Sequence, residues 1–407
     1  MAFKRGSGVL MHLSSLPGRY GIGDLGRSAL EFIDFLLAAR QRYWQFLPLG
    51  PVEPCHAGSP YMSMSAFAGN PLLIDPEQLV AEGLLRPEEL ENDSFSEYSV
   101  DFPAVTAFKN RLLRQAFVNF QGQGKKKEYE RFCQEEKWLD DYALFMSLRQ
   151  EQGGALWSQW PRPLARREPE AVAQARLRLA DSIQYYCFEQ YLFFRQWSAL
   201  RRHAQRQGIQ LVGDMPIYVS QNSADVWGRQ ECFRLDATTL ESTHVAGVPP
   251  DYFSASGQRW GNPLYRWEVG GLPHPALDAW WLERFRQTQR LVDIVRIDHF
   301  RAFESYWEIA AREKTAINGR WVKGPGRSFF ERLAGAGANL PIIAEDLGII
   351  TPAVEKLRDE LGFPGMKVLQ FAFDSGAENY YLPHNYKDGN CVVYTGTHDN
   401  DTVVGWF

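Results

Sequence analysis

The sequence is short of the residues that would indicate a secreted, membrane or nucleic-acid-binding protein. Its 407 residues include only 5 cysteines, which are widely spread and form no C-x-x-C pair, so reduced thiols in a cytoplasm are the simplest interpretation. No stretch approaches the apolar length of a membrane span, and residues 1–18 contain only a broken apolar run. The net charge of −5 argues against a nucleic-acid surface. We therefore expect a soluble, cytoplasmic protein with a neutral partner, which is neither nucleic acid nor a membrane.

Aromatic residues, by contrast, are plentiful. They make up 14% of the chain and include 13 tryptophans. Many stand beside glycine, proline and polar residues, as in GQRWGNPLYRW at residues 257–267. Flat apolar faces backed by hydrogen-bonding groups suit sugars or nucleobases, although core packing remains the alternative for any single tryptophan.

Strand-like and helix-like segments alternate along most of the chain. Predicted strands cover residues 8–15, 43–50, 209–219, 293–300, 341–348, 366–373 and 391–399. Predicted helices cover residues 26–40, 181–208, 274–291, 328–337 and 351–362. The alternation fits either a (β/α)8 TIM barrel or a doubly wound open sheet, and the insertions between strands and helices favour the barrel.

Two regions interrupt the alternation and suggest a domain organisation. Residues 1–74 would form the first barrel units, and residues 75–180, which are charged and helical, an inserted helical subdomain. Residues 181–407 would continue the barrel, with a loop insertion at 220–267 that is rich in Gly, Pro, Ser and aromatic residues.

Acidic residues end several of the predicted strands. They are Asp214 in LVGD, Asp298 in VRID, Glu345 and Asp346 in IIAED, and Asp399 in VVYTGTHD. A single acid at a strand end can cap the next helix or form an ion pair. In a barrel, however, all these strand ends open on one face, so the repeated pattern predicts a cluster of carboxylates.

Converging carboxylates allow two kinds of chemistry. A metal site has little support, because His299 and His398 each stand beside an aspartate and not at ligand spacing. Glycoside chemistry needs one carboxylate to attack the sugar and a second to donate a proton, about 5 Å apart in a retaining mechanism. Asp298 and Glu345, on neighbouring strands, are the best pair. We expect no metal and no cofactor.

Arg296 lies two residues before Asp298 and on the same face of its strand. A permanent cation there would favour the ionised form of Asp298, which a nucleophile needs. The alternative is a structural ion pair inside the barrel.

Several longer motifs carry a family resemblance. The segments VGDMPIYV, RIDHF, AEDLG and GTHDNDT, in this order, resemble those of the 4-α-glucanotransferases called amylomaltases or disproportionating enzymes, which are relatives of the α-amylases. HLSSLPGRYGIGDLG, SPYMSMSAFAGNP and AGVPPDYFSASGQRWGNP look like further signatures of that family. The resemblance spans essentially the whole chain.

The resemblance implies a (β/α)8 barrel and retaining transglycosylation. Asp298 matches the nucleophile, Glu345 the general acid/base, and Asp399 the acid that stabilises the transition state through sugar hydroxyls. The matching substrate-binding positions are Arg296, His398, Asp214 and Tyr61, together with Tyr252, Phe253, Gln258 and Trp260 in a lid over the cleft. The implied partners are malto-oligosaccharides, α-1,4-glucans and glucose.

The family's barrel also has an eighth strand and a final helix after the THDN motif. Because this chain stops at Phe407, we expect that strand and helix to be missing, with an exposed barrel edge and apolar surface. Activity of this chain is therefore left open. The alternatives are an α-amylase-type hydrolase and a non-catalytic glucan-binding protein. An oxidoreductase is disfavoured, since GAGAN at residues 335–339 precedes its strand.

Overall fold

A computed structural model of the chain describes residues 4–53, 57–91, 95–123, 127–251, 254–338, 341–386 and 389–407. The strands are β1 (Gly8–Leu10), β2 (Tyr43–Gln45), β3 (Gln210–Pro216), β4 (His244–Val248), β5 (Gln258–Pro263), β6 (Glu268–Val269), β7 (Leu272–Pro273), β8 (Ile294–Asp298), β9 (Ser305–Ala310), β10 (Gly319–Lys323), β11 (Ile342–Ala344), β12 (Gly365–Val368) and β13 (Cys391–Tyr394). The helices are α1 (Arg27–Ala38), α2 (Pro76–Ala81), α3 (Phe102–Gln121), α4 (Lys127–Glu135), α5 (Lys137–Glu151), α6 (Arg162–Ala165), α7 (Pro169–Arg178), α8 (Ala180–Arg206), α9 (Ala224–Gly228), α10 (Pro275–Leu291), α11 (Gly326–Gly335), α12 (Pro352–Glu360) and α13 (Val403–Trp406).

The main sheet is parallel and follows chain order. Its strands lie in the order β1-β2-β3-β8-β11, and β12 pairs with β13, also in parallel. The backbone N–H of Ala344 donates to the carbonyl of Pro364 at 2.9 Å, which sets β12 beside β11. Among the described strands there is thus no reversal of order of the kind that defines a doubly wound sheet.

The two ends of this row of strands are brought together by side chains. The hydroxyl of Tyr394 on β13 donates to Oε1 of Gln45 on β2 at 2.7 Å. Apolar side chains from β3, β8, β11, β12 and β13 form one cluster, and residues of β1 and β2 pack against it; the members are Val212, Ile294, Ile343, Met366 and Tyr394, with Leu10 and Tyr43. The sheet is therefore strongly curved around this cluster.

The predicted parallel strands and the helices that connect them are confirmed, although most strands are shorter than predicted. The strand predicted at 366–373 ends at Val368, and a 3₁₀ helix, Leu369–Phe373, follows it. The helix predicted at 26–40 is α1, and the one predicted at 181–208 is α8. Apolar periodicity located these elements because each buries one face against the sheet.

Part of the segment predicted as a loop at 220–267 is regular structure. It contains α9, β4 and β5, and the two strands join β9 and β10 in an antiparallel sheet of order β10-β9-β4-β5. Its strands carry glycine and proline, which depress strand propensity, and β4 pairs with β9, a partner distant in the chain. The pattern of alternation could not reveal this pairing.

Helices α2–α7 occupy residues 75–180, the charged region that was predicted to be helical, and α8 follows it. They pack on aromatic side chains, including Phe117, Phe120, Phe188 and Tyr191. In the described part of the chain, no helix combines the length and apolarity that crossing a membrane would require. Near residue 407, the side chains of Val404 and Phe407 are exposed.

Candidate active site

One arginine joins two carboxylates at the ends of neighbouring parallel strands. Nη1 of Arg296 donates to Oδ1 of Asp214 at 2.7 Å and to Oδ1 of Asp298 at 2.9 Å. Asp214 on β3 lies directly opposite Arg296 on β8 in the strand register. Burial of Arg296, which is 3% exposed, would lower its pKa, but the charges of the two aspartates outweigh burial and raise that pKa above its ordinary value. Arg296 therefore stays charged.

The hydrogen-bond network continues from Asp214 towards Asp399. The hydroxyl of Tyr61 donates to Oδ2 of Asp214 at 2.6 Å and lies 2.8 Å from Nε2 of His398. Because that hydroxyl donates its proton to Asp214, it accepts from His398, which assigns a proton to Nε2. The two rings stack with centroids 5.6 Å apart. Nε2 of His398 is also 3.3 Å from Oδ2 of Asp399, whose side chain is 74% exposed. The network thus runs from the buried Arg296 to an open rim.

Glu345 directly follows β11 and is held by backbone groups. Its Oε2 accepts from the N–H of His299 at 2.7 Å, and its Oε1 accepts from the N–H of Leu347 at 2.8 Å. His299 has a left-handed backbone with φ of 54°, which is unusual for a residue other than glycine and is typical of strained functional turns. This turn aims the His299 N–H at the carboxylate. Burial raises the pKa of Glu345, while Arg296 and the two N–H groups oppose the rise.

Asp298 and Glu345 end neighbouring strands, because Ala344 lies opposite Ile297 in the register. Burial raises the pKa of Asp298 to about 7, the charge of Arg296 lowers it, and Asp214 and Glu345 add to the rise. The expectation that Arg296 keeps Asp298 ionised is therefore correct in direction only, since burial outweighs the cation. The Asp298 side chain is still 30% exposed, so a ligand can reach it.

Strand β5, an edge strand of the antiparallel sheet, carries Gln258 and Trp260. Nε1 of Trp260 donates to Oε1 of Gln258 at 3.0 Å, and the Trp260 ring meets the His299 ring edge-on at 4.8 Å. His299 in turn orients Glu345, so Trp260 lies beside the carboxylates. Tyr252 and Phe253, predicted for the same lid, lie outside the described residues.

Two histidines of the site were not among the predicted site residues. His12 follows β1, its Nδ1 is buried without a hydrogen-bond partner in the described structure, and its pKa is lowered to about 4 by burial and by His398, against the effect of Asp214. Nε2 of His299 is likewise buried without such a partner, and burial lowers the His299 pKa to about 3. His12 opens HLSSLPG within the strand predicted at residues 8–15, and a search for acids alone passes over it.

Within the described ranges, no group of three or more His, Cys, Asp or Glu side chains is arranged to hold a metal ion. The centre consists of carboxylates, one guanidinium and neutral imidazoles at the carboxyl ends of parallel strands. Carboxylates with raised pKa values at such strand ends are the usual centre of an α/β enzyme that works by acid/base and nucleophilic chemistry.

Comparison with known proteins specifies the family. The family model for 4-alpha-glucanotransferase matches residues 11–407. A 4-alpha-glucanotransferase from Synechocystis is 52% identical over 413 residues, covering 100% of this chain and 81% of the relative. One from Thermus thermophilus is 51% identical over 412 residues, with the same shares covered, 100% and 81%. The chain belongs to the 4-alpha-glucanotransferase family, a family of transferases.

A solved structure supports the same assignment. The amylomaltase from Streptococcus agalactiae, determined in complex with acarbose, matches with a TM-score of 0.94 and 42% identity, covering 99% of this chain and 81% of that chain. The fold is therefore α/β, as predicted, and the family prediction made from the motifs is confirmed.

Proposed function

We propose that this chain transfers an α-1,4-glucan segment from a malto-oligosaccharide donor to the 4-hydroxyl of another glucan or of glucose, with retention of configuration. The observation that carries the proposal is the pairing of Asp298 and Glu345 on adjacent strands, where Arg296 binds the former and two backbone N–H groups bind the latter. Two such carboxyl groups are what a retaining mechanism requires.

In the first step, Asp298 attacks the anomeric carbon while Glu345 gives its proton to the departing glycosidic oxygen. The proton belongs on Glu345 because Asp298, unlike Glu345, accepts a direct hydrogen bond from the Arg296 guanidinium, which favours the carboxylate form of Asp298. The raised pKa of Glu345 suits a general acid. The His299 and Leu347 N–H groups keep its carboxyl group oriented throughout.

In the second step, Glu345 takes a proton from the acceptor 4-hydroxyl, and that oxygen displaces Asp298 from the sugar. Asp399, His398, Tyr61 and Asp214 would bind hydroxyls of the glucosyl unit, and Asp399 is open to a ligand because its side chain is exposed. Water must be kept from the intermediate, and the lid that carries Trp260 and Gln258, with Tyr252 and Phe253, is proposed to do so.

The proposal includes a (β/α)8-type barrel as the scaffold. It is supported by the chain-order parallel strands, the apolar cluster to which all of those strands contribute, and the hydrogen bond from Tyr394 to Gln45 across the row. Residues 75–180 would be its helical insertion and residues 220–267 its loop insertion, between barrel segments 1–74 and 181–407. A cytoplasmic location is proposed from the few, scattered cysteines.

Incubation with maltotriose tests the function. Transfer predicts glucose together with oligosaccharides longer than maltotriose, and Asp298→Asn should abolish both. Asp34→Asn is a matched control, because Asp34 lies on α1, where its Oδ1 is 3.0 Å from Nε2 of His203. Products that are all shorter than maltotriose would instead identify a hydrolase of the α-amylase type. Binding of maltotriose by the unaltered chain without turnover would identify a glucan-binding protein.

A further inference from the structure

Two tryptophans form a partly exposed pair on the antiparallel sheet, outside the carboxylate centre. Trp321 on β10 lies directly opposite Trp307 on β9 in the strand register, with ring centroids 5.1 Å apart at an angle of 66°. Trp321 is 40% exposed although it is a large apolar residue. The exposed part of this indole is available for contact with a ligand.

Trp321 is attached to the two loops that carry the proposed catalytic carboxyls. The guanidinium of Arg301 lies 3.8 Å from the centroid of the Trp321 ring, and its Nη1 donates to the carbonyl of Ile349. Arg301 lies in the 3₁₀ helix Phe300–Phe303 that follows Asp298. Ile349 lies in the loop that follows Glu345, and its side chain is exposed. The position of Trp321 is thereby fixed relative to both carboxyls.

Trp307 is attached to the proposed lid at the other end of the pair. Its Nε1 donates to the carbonyl of Ala316 at 2.9 Å, and the N–H of Ala316 donates to the carbonyl of Ser256 at 3.1 Å. Ser256 stands two residues before Gln258 of the lid. A Cβ on Gly319 would lie 2.2 Å from Nε1 of Trp307, so glycine at this position makes room for the indole. The pair therefore bridges the catalytic loops and the lid.

We propose that Trp321, Trp307 and Ile349, here called the rim strip, bind an α-1,4-glucan chain beyond the sugars held at the carboxylate centre. The apolar faces of successive glucose rings would lie on the exposed Trp321 indole, which Arg301 and Trp307 hold in place. A neutral ligand fits, since the Arg301 guanidinium is already stacked on the ring and Lys323, two residues further along β10, pairs with Glu304. The inference rests on the proposed function, because it assigns the same glucan to both places.

The test compares short and long donors in the full chain. Trp321→Ala should raise the KM for amylose by roughly three- to tenfold, the effect expected for the loss of one aromatic contact, and leave maltotriose kinetics unchanged. Trp321→Phe should restore most of the loss. Phe35 is an exposed aromatic residue on α1, and Phe35→Ala should change the kinetics with neither amylose nor maltotriose.

A binding measurement separates this inference from the activity. Affinity electrophoresis in gels that contain glycogen should show weaker retardation of Trp321→Ala than of the unaltered chain, whether or not the chain is active. Equal loss on maltotriose and amylose would overturn the proposal and show that Trp321 acts only by positioning Arg301. Unchanged amylose kinetics with unchanged retardation would also overturn it.

Discussion

Two regions of this molecule bury carboxyl groups, the strand ends around Asp298 and the helices around Glu189, and their surroundings differ. Glu189 on α8 is 3% exposed, and burial raises its pKa to about 7 against a hydrogen bond from Tyr185 and the charge of Arg114. Burial raises the pKa of Asp298 to about 7 as well. A shifted pKa therefore does not distinguish a catalytic carboxyl from a structural one.

Access and partners distinguish the two regions. Asp298 keeps 30% of its side chain exposed and shares a buried guanidinium with Asp214, so it can meet a ligand while remaining oriented. Glu189 faces aromatic side chains of α5 and α8, including Tyr142 and Tyr185, in a closed interior. The Asp298 carboxyl is therefore accessible to a ligand and oriented by a cation, whereas the Glu189 carboxyl is enclosed in a packed core.

The largest expected effect comes from removing the carboxylate at the strand ends. Asp298→Asn should lower kcat for transfer by on the order of 10⁴-fold or more, because it removes the proposed nucleophile, with little change in the melting temperature. Glu189→Gln should leave kcat unchanged. Maltotriose disproportionation, followed by the release of glucose, measures both variants. A similar loss of activity in the two variants would contradict the distinction.

The second effect concerns Arg296, the buried cation that donates a hydrogen bond directly to Asp298. Arg296→Gln should lower kcat/KM by about 10²- to 10³-fold, because a fixed charge beside the reacting carboxylate is lost. Arg296 lowers the pKa of Asp298, so without it that pKa rises further. Since Asp298, as the proposed nucleophile, would have to be ionised to attack, the acid limb of the pH profile should move to higher pH.

The matched control for this variant is Arg320→Gln. Nε of Arg320 donates to Oε1 of Glu308 at 3.0 Å, an ion pair of the antiparallel sheet away from the carboxylate centre. This variant should keep the acid limb where it is. If Arg296→Gln lowers the rate without moving the acid limb, the guanidinium orients Asp298 but does not set its ionisation.

The third effect belongs to the helical region and is one of stability. Glu189 has a folded pKa raised from 4.5 to about 7, so the unfolded chain releases its proton first as the pH rises. The protonated carboxyl of Glu189 makes its full contribution to the free energy of unfolding below pH 4.5. This contribution decreases as the pH rises to about 7, by about 3 kcal/mol in all. Glu189→Gln should remove this pH-dependent loss. The free energy of unfolding of the variant, relative to that of the unaltered chain, should therefore be higher at pH 8 than at pH 5.

Urea unfolding at pH 5 and pH 8 measures this difference. The other groups that face Glu189 are Tyr142, Tyr185, Tyr186 and Arg114, and none of them has an ordinary pKa in that range. A stability difference that is the same at both pH values would show that Glu189 is ionised in the folded protein.

The strand-end carboxyls could be predicted because their signal is local, an apolar run followed at once by an acid. The same signal also marked Asp346, yet its Oδ1 accepts from the N–H of Met366 at 2.7 Å and its carboxyl pairs with Arg358. Asp346 thus fits the ion-pair alternative that was weighed for any single acid. Only tertiary structure separates it from Glu345, the residue beside it.

The features that sequence reasoning missed depend on contacts between distant segments. His12 belongs to the centre because the segment after β1 and the loop after β13 meet there, close enough for His398 to lower the pKa of His12. Strands β4 and β9 pair although about sixty residues separate them in the chain. No short hairpin turn joins them, so the sequence contains no local signal for this pairing. The pKa of Asp298 depends on burial, which Arg296 alone could not reveal.

The smallest expected effect concerns the exclusion of water from the carboxylate centre by Trp260. Trp260 stands edge-on to His299 at 4.8 Å beside the carboxyls, where it would shield the glycosyl intermediate. Trp260→Ala should raise the ratio of hydrolysis to transfer by about tenfold, because water then competes with the sugar acceptor. Tyr129→Ala, an aromatic substitution in α4 of the helical region, should leave that ratio unchanged. Reducing-end release compared with oligosaccharide growth gives the ratio directly. An unchanged ratio in Trp260→Ala would mean that acceptor binding alone, and not the exclusion of water, makes transfer prevail.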